Sequence, residues 1–386
     1  MNSFLRYSRR SFTSVSKTYP KTFDKILIAN RGEISRRVIK TCRKMGIQTV
    51  CVYSDADRHS MFVREADEAY RIGPPPTNQS YLDMNKILDV VVKSGAQAVH
   101  PGYGFLSENR HFQKLLEANG VSFIGPPGPA ITAMGDKLQS KLLAKKANVS
   151  TVPGFLGAIK DDAQVIKISN EIGYPVMIKA SAGGGGKGMR TAYNDEEAVE
   201  GFKLSKQEAL AAFGDDTIII EKYIEEPRHI EFQLLGDQHG NYVYLPEREC
   251  SVQRRNQKVI EEAPSVLLDP ETRHRMGSQA VSMARSCGYY STGTCEFLVD
   301  KNLGFYFLEM NTRLQVEHPI TELITGVDLV EEMIKIAAGH EMELKQEDIK
   351  INGHSLEMRV YAEDPSRNFL PSIGFLRNYH EPKIHK

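Results

Sequence analysis

The sequence predicts an α/β protein with a parallel-sheet domain first, a glycine-loop lid domain second and a mixed to antiparallel domain last. Three observations carry that expectation: strand–helix alternation through the first hundred or so residues, one run of glycines between two strand-like segments, and a late hairpin that carries two carboxylates. A chain of 386 residues has room for two or three domains with cores of their own.

Lys25-Ile-Leu-Ile-Ala29 reads as a buried strand, and Ile34, Val38, Ile39 and Cys42 follow at helical spacing before a stop at Gly46. Gln48–Tyr53 is a second strand, so the chain opens with a βαβ unit and a parallel sheet. A helix at Tyr81–Ser94, a strand ending at His100, another helix and the strand Ser122–Gly125 continue the alternation. The first strand-to-helix turn reads Asn30-Arg-Gly-Glu33 and lacks GxGxxG, which gives a Rossmann-like shape without the dinucleotide fingerprint. Breakers at Pro126-Pro-Gly-Pro129 and Val152-Pro-Gly154 bracket a helical linker. The resulting division is 1–23, 24–125, 126–154, 155–224 and 225–386. Residues 155–224 form an αβ unit with strands at Pro175–Ala180, Met189–Tyr193 and Thr217–Lys222; beyond them strands near 229–236, 241–246, 292–299 and 305–310 turn antiparallel.

Charge narrows the function classes. The chain carries 49 Lys+Arg against 49 Asp+Glu, without the basic surplus that nucleic-acid binding needs. No apolar run reaches the roughly 18 residues of a membrane-spanning helix. The five cysteines have no CxxC spacing, so they read as reduced thiols, neither a disulfide framework nor a zinc site. Residues 1–23 hold Arg6, Arg9, Arg10, Lys17 and Lys21, many Ser and Thr, and no acid, which is the composition of an organelle transit segment.

Chemistry concentrates in a few segments. Lys179-Ala-Ser-Ala-Gly-Gly-Gly-Gly-Lys-Gly188 carries five glycines, whose N–H groups can wrap an anion, and a lysine that adds a point charge for phosphate. A strand, not a helix, follows, so the loop is not a Walker A motif but fits a lid over a nucleotide. On the late hairpin, pairing Asp300 with Phe305 sets Glu296 opposite Glu309, with Asn311 and Arg313 continuing that face if the strand extends so far. Opposed like charges destabilise a sheet unless a cation sits between them, and carboxylate and Asn oxygens suit Mg²⁺. Arg313, Glu317 and His318 follow in a Pro-stopped loop, where a guanidinium could hold a small oxyanion and a carboxylate take its proton. Gln253-Arg-Arg-Asn-Gln-Lys258 supplies three cations and reads either as a solvated basic loop or as part of an anion pocket. His100-Pro-Gly-Tyr-Gly-Phe105 ends a parallel strand, where open α/β sheets put ligands. Together these segments describe nucleotide-driven activation of a small acid.

From about Asp24 onward the chain resembles the biotin carboxylase component of biotin-dependent carboxylases, which are ATP-grasp enzymes. The resemblance rests on Ile28–Glu33, His100–Asn109, Met134–Lys137, the glycine loop, Glu221-Lys-Tyr223, Gln253–Pro264, Glu309–Thr321 and Ala362–Pro365. It implies ATP-dependent carboxylation of biotin from bicarbonate by way of carboxyphosphate, with residues 155–224 as the ATP-grasp lid. It assigns Lys137, Lys179, Gly184, Gly185 and Gly186 to ATP phosphates, and Glu221, Lys222, Ile224, His229, Gln253 and Asn256 to the nucleotide. Glu296, Glu309 and Asn311 would hold Mg²⁺ or Mn²⁺, while Lys258, Arg313 and Val316 would bind bicarbonate. Glu317 would be the general base, Arg313 would stabilise the biotin enolate, and Tyr103 and Arg359 would contact biotin.

The resemblance further implies two partners, a biotin carrier domain and a carboxyltransferase beta subunit. It also implies a possible homo-oligomer and, with the transit-like start, the mitochondrial matrix. Two features depart from the family. Asn256 stands where many members have His, and the chain reaches Lys386 without the remainder of the third domain or an Ala-Met-Lys-Met carrier signature, which leaves the C-terminal domain incomplete. A non-catalytic relative kept for binding or assembly, and a ligase for another carboxylate, are the alternatives.

Overall fold

The computed structural model describes residues 21–155, 159–180, 189–374, 378 and 380. The first domain runs β1 (Lys25–Ile28), α1 (Gly32–Met45), β2 (Gln48–Ser54), α2 (Met61–Glu65), β3 (Glu68–Gly73), α3 (Met84–Ser94), β4 (Ala98–His100), α4 (Arg110–Ala118) and β5 (Ser122–Phe123). Its five strands are all parallel, in the order β3-β2-β1-β4-β5. β1 lies in the middle because Ile26, Leu27 and Ile28 are apolar on both faces, and all three are fully buried. Gly46 closes α1 at φ +74°, a left-handed turn that lets β2 start two residues later. Strand β3 was not visible in the sequence, since Glu68-Ala-Tyr-Arg-Ile-Gly73 is an edge with little apolar character.

The linker is two helices, α5 (Gly128–Gly135) and α6 (Lys137–Lys146), separated at Asp136, whose carboxylate caps α6 by accepting from Gln139 N. The lid comprises β6 (Gly154–Phe155), α7 (Asp162–Ile172), β7 (Val176–Ala180), β8 (Met189–Ala192), α8 (Asp195–Phe213) and β9 (Ile218–Lys222), with its strands antiparallel in the order β6-β9-β7-β8. Asp161 and Asn194 cap the two helices through Gln164 N and Glu197 N. Gly184, Gly185 and Gly186 lie outside the described residues.

The last unit contains β10 (Arg228–Gly236), β11 (Tyr242–Tyr244), β12 (Arg248–Arg254), β13 (Gln257–Ala263), α9 (Pro270–Ser286), β14 (Ser291–Val299), β15 (Phe305–Asn311), α10 (His318–Thr325), α11 (Leu329–Ala337), β16 (Ser355–Met358), β17 (Glu363–Asp364) and β18 (Leu370–Pro371). Its main sheet is antiparallel throughout, in the order β15-β14-β10-β12-β13-β16 with β11 on β10. Period-two alternation along β10 and β14 divides that sheet. Ile230, Phe232, Leu234, Cys295 and Phe297 face α9, whereas His229, Glu231, Gln233, Thr294 and Glu296 face the other way. On the apolar side Phe297 meets Phe232, Phe305 and Phe307 edge to face at centroid distances of 6.0–6.3 Å, contacts that add about 0.5–1.5 kcal/mol each beyond area burial. Gly277 lets α9 approach this sheet, because a Cβ there would stand 2.4 Å from the Tyr244 ring. The functional side chains therefore rise from a polar face whose back is a rigid aromatic core.

Three expectations about this unit are corrected. The turn of the late hairpin is one residue longer than expected, with Val299, not Asp300, opposite Phe305. A bulge between Glu296 and Phe297 on one side and Phe307 and Glu309 on the other restores the offset, so Glu296 still faces Glu309. Arg313 does not continue the strand, which ends at Asn311. The stretch Gln253–Lys258 is not a loop but the tip of the β12–β13 hairpin, turned by Arg255 and Asn256 at φ +52° and +63°.

Candidate active site

Lys258 is the centre of the polar face. Its ammonium donates to Glu231, to Glu296 at 2.9 Å and to Glu317 at 2.8 Å, and reaches Gln315 at 3.4 Å. Those carboxylates outweigh the penalty of burial and hold its pKa well above the ordinary lysine value. Beneath them Arg248, fully buried, donates to Glu231 at 2.5 Å, Gln233 at 2.9 Å and Thr321 at 2.8 Å. Burial alone would raise the Glu296 carboxyl, but Lys258 and then His229, whose Nε2 lies 2.9 Å away, hold it well below its usual range. The same contact raises His229 against the opposite pull of burial.

Glu317 follows the same physics. Burial would raise it, yet Lys258 and Arg248 pull it to about 2, and Arg359 adds a 2.8 Å bond. Arg359 is itself shared, its Nε lying 2.7 Å from Glu261. Arg313 binds Glu108 at 2.9 Å and Asn311 Oδ1 at 3.1 Å. Glu108 also accepts from Thr312 N at 3.0 Å, tying the first domain to the loop after β15. The His100 motif serves as scaffold: Gly102 N donates to the buried His100 ring, and Asn30 donates to the Pro101 and Tyr103 carbonyls at 2.7 Å. Tyr103, bonded to Glu33, and Val316 then meet in one cavity of about 580 Å³, with Glu357 on its wall. Burial and the charges of Glu261 and Glu317 push Glu357 up to about 7.

A second cluster lies between α6 and the lid. Glu221, buried on β9, takes Lys179 at 2.5 Å and Lys141 on its other oxygen. Burial, then the charge of Lys137, lowers Lys179 to about 8. Ile224 lies between β9 and β10, the joint of lid and main sheet. Lys222 is turned away, its ammonium donating to the Gly173 and Tyr174 carbonyls at 2.9 and 2.7 Å. Gln253 donates to the Cys250 carbonyl at 2.8 Å, while Asn256 is exposed at the hairpin tip with Arg254 and Arg255. Of the basic segment, then, only Lys258 enters the cluster. Arg254 pairs with Glu363 at 2.7 Å on the surface.

The oxygen donors fit a divalent cation. Burial and the facing Glu296 raise the Glu309 carboxyl, and among the described residues it has no hydrogen-bond or ion-pair partner. Asn311 adds an amide oxygen beside it, and an all-oxygen set of this kind suits Mg²⁺. Sequence reasoning missed Glu231, Arg248, Glu108 and Lys141. Glu231 was legible in the alternation His229-Ile-Glu-Phe-Gln233, and Glu108 stands within the His100–Asn109 motif.

A small antiparallel lid sheet whose Lys179 and Glu221 meet Lys141 of the linker, beside a larger antiparallel sheet with a carboxylate-rich face, is the arrangement of an ATP-grasp protein. Residues 22–131 match the family described as biotin carboxylase, N-terminal domain, and residues 136–345 match the carbamoyl-phosphate synthase L chain, ATP binding domain. The chain is 65% identical over 360 residues to the propionyl-CoA carboxylase alpha chain of Ruegeria pomeroyi, covering 93% of this chain and 53% of that one. It is 64% identical over 363 residues to the mitochondrial propionyl-CoA carboxylase alpha chain of Homo sapiens, covering 94% and 50%.

Among solved structures, the biotin carboxylase domain dimer of Hydrogenobacter thermophilus 2-oxoglutarate carboxylase, in complex with MgADP, ADP and bicarbonate, superposes with a TM-score of 0.89 at 52% identity, covering 95% of this chain and 81% of that one. The Campylobacter jejuni biotin carboxylase–β,γ-ATP complex gives 0.90 at 46%, covering 94% and 81%. This chain belongs to the biotin carboxylase family. It spans about half the length of the propionyl-CoA carboxylase alpha chains it matches.

Proposed function

We propose that this chain carboxylates biotin, using ATP and bicarbonate, as the biotin carboxylase part of an acyl-CoA carboxylase that acts on propionyl-CoA. The observation that carries this is the Lys258 ammonium shared among Glu231, Glu296 and Glu317, flanked by Arg313 and Arg359. This is an anion pocket whose cations are already assembled and whose acids are poised to give them up. Bicarbonate displaces Glu317 from Lys258 and takes the Arg313 fork, with the Val316 backbone as a further donor. Glu317 released in this way climbs from a pKa of about 2 toward the range where a carboxylate takes a proton from bicarbonate. Lys137, Lys179 and the Gly184–Gly186 segment hold the ATP phosphates, while Glu221, Ile224, His229, Gln253 and Asn256 border the nucleotide; Lys222 contributes through its backbone. Glu296, Glu309 and Asn311 hold Mg²⁺ or Mn²⁺, which when bound supplies charge neutralisation at the phosphates. Arg313 faces the charge that develops on the biotin ureido oxygen, and Tyr103 and Arg359 position the ring.

The partners are a biotin carrier domain and a carboxyltransferase beta subunit. A homo-oligomer accords with the dimeric relative. The mitochondrial matrix is the proposed location, supported by the transit-like start and by relatives named mitochondrial. The test is phosphate release from ATP and Mg²⁺ by the full chain. Release should require bicarbonate and rise with free biotin; release indifferent to bicarbonate would overturn the assignment.

A further inference from the structure

Lys141 is a buried lysine that the residue assignments above leave without a role; burial, then the charge of Lys179, lowers its pKa to about 5. It lies on α6 one turn after Lys137, and its side chain is 2% exposed. It reaches across from α6, which packs on β15 and α9, to Glu221 on the lid strand β9. Glu221 is divided between two lysines, one carboxylate oxygen to Lys141 and the other to Lys179 at 2.5 Å. The charge of Lys137 acts on Lys179 from α6, and that of Glu309 acts on it from β15. Two lysines thus share one buried carboxylate, with the charge of Lys137 acting on both of them. Buried charge in excess of its partners is costly, and a polyphosphate is the ligand that would neutralise it.

We infer that Lys141 is a positioning residue that holds Glu221, so that Lys179 can leave that carboxylate for the nucleotide phosphates. This rests on the nucleotide reading given above. When phosphate arrives, Lys179 must exchange one anionic partner for another. With Lys141 in place, Glu221 keeps a hydrogen-bond donor and the exchange leaves no unpartnered carboxylate. Without Lys141, Glu221 is a buried carboxylate whose single cation is Lys179, and it competes with the phosphates for it. The burial that lowers Lys179 to about 8 makes that competition sharper, since a desolvated ammonium gains most from whichever anion is nearest. The bond also crosses the joint between the helical linker and the lid, so the same residue couples lid placement to phosphate capture.

The test is calorimetric binding of ADP and of adenosine to the full chain and to Lys141→Met, Lys141→Arg and the double variant Lys141→Met/Glu221→Gln, with a melting curve for each. Lys141→Met should bind ADP about tenfold more weakly while adenosine, which has no phosphate, binds as before. Lys141→Arg should recover much of the ADP affinity. The double variant should bind ADP more tightly than Lys141→Met, because the competing carboxylate is gone. Equal losses for ADP and adenosine, or a double variant as weak as Lys141→Met, would overturn the inference and leave Lys141 a packing residue. An unaltered chain that binds no ADP is a different result, since it overturns the functional reading on which the inference rests.

Discussion

Replacing Lys258 with Met removes one cation from three carboxylates that are nearly inaccessible, Glu231, Glu296 and Glu317 at 0%, 4% and 3% exposure. Arg248, His229 and Arg359 stay behind, so each acid keeps one cationic partner but loses the one they share. Breaking a buried ion pair from one side costs about 3–5 kcal/mol, a large part of the roughly 5–15 kcal/mol that holds a protein folded. At roughly 2–4 °C per kcal/mol, the melting temperature at pH 7.5 should fall by about 6–20 °C. The pH dependence separates charge from packing. In the unaltered chain Glu317 and Glu296 sit below their unfolded values, so their contribution is complete above about pH 4.5 and is lost as pH falls toward about 2. Its carboxylates should therefore add no pH dependence between pH 8 and 5, while His229, raised above its unfolded value, adds stability that is full below about pH 6.5 and is lost as pH rises through its folded pKa. In Lys258→Met the same carboxyls rise above their unfolded values. A raised carboxyl destabilises most at high pH, and the penalty fades as pH falls through the folded pKa. Differential scanning fluorimetry at pH 8, 6.5 and 5 reads this directly, with the deficit shrinking toward pH 5. A deficit under about 2 °C, or one equal at all three pH values, would refute the shared-cation account.

Other outcomes follow from the same geometry. Arg313→Ala should leave ATP binding within about twofold, because Arg313 meets Glu108 and Asn311 and not the Lys179 cluster, while biotin carboxylation is abolished; unchanged turnover would contradict its role. Glu309→Gln should raise the Mg²⁺ concentration needed for half-maximal activity at least tenfold. It should also raise the melting temperature of the metal-free chain, since it removes the repulsion from Glu296; a lower melting temperature would show that the facing pair is not repulsive. Gly277→Ala should cost about 1–3 kcal/mol in urea unfolding, because its Cβ would meet the Tyr244 ring at 2.4 Å. A neutral effect there would mean that α9 sits farther from the sheet than described.

Much of the architecture was legible because buried parallel strands and helix caps announce themselves. Ile26–Ile28 and Thr49–Tyr53 are uninterrupted apolar or β-branched stretches, and Gly46 and Asp161 sit where a stop and a start are needed. The hairpin Arg248–Ala263 was not legible. Its strands carry charges on the face toward the site, so Arg248, Glu261 and Lys258 break the apolar alternation that marks a strand. The bulge opposite Phe297 was invisible for a different reason, since one extra residue leaves no compositional trace and the correct facing of Glu296 and Glu309 emerged from two offsetting shifts. The acids and cations that surround Lys258 come from β10, β12, β14, the loop after β15 and the residue after β16. No spacing rule spans those separations, so motifs could point to Lys258, Arg313 and Glu317 but not to Arg248 beneath them.

The most direct test of the central claim is incorporation of labelled bicarbonate into free biotin by the full 386-residue chain in the presence of ATP and Mg²⁺. The account predicts ATP-dependent, acid-labile label on biotin, lost in Glu317→Gln and Arg313→Ala. A folded chain that binds ATP yet places no label on biotin would contradict it.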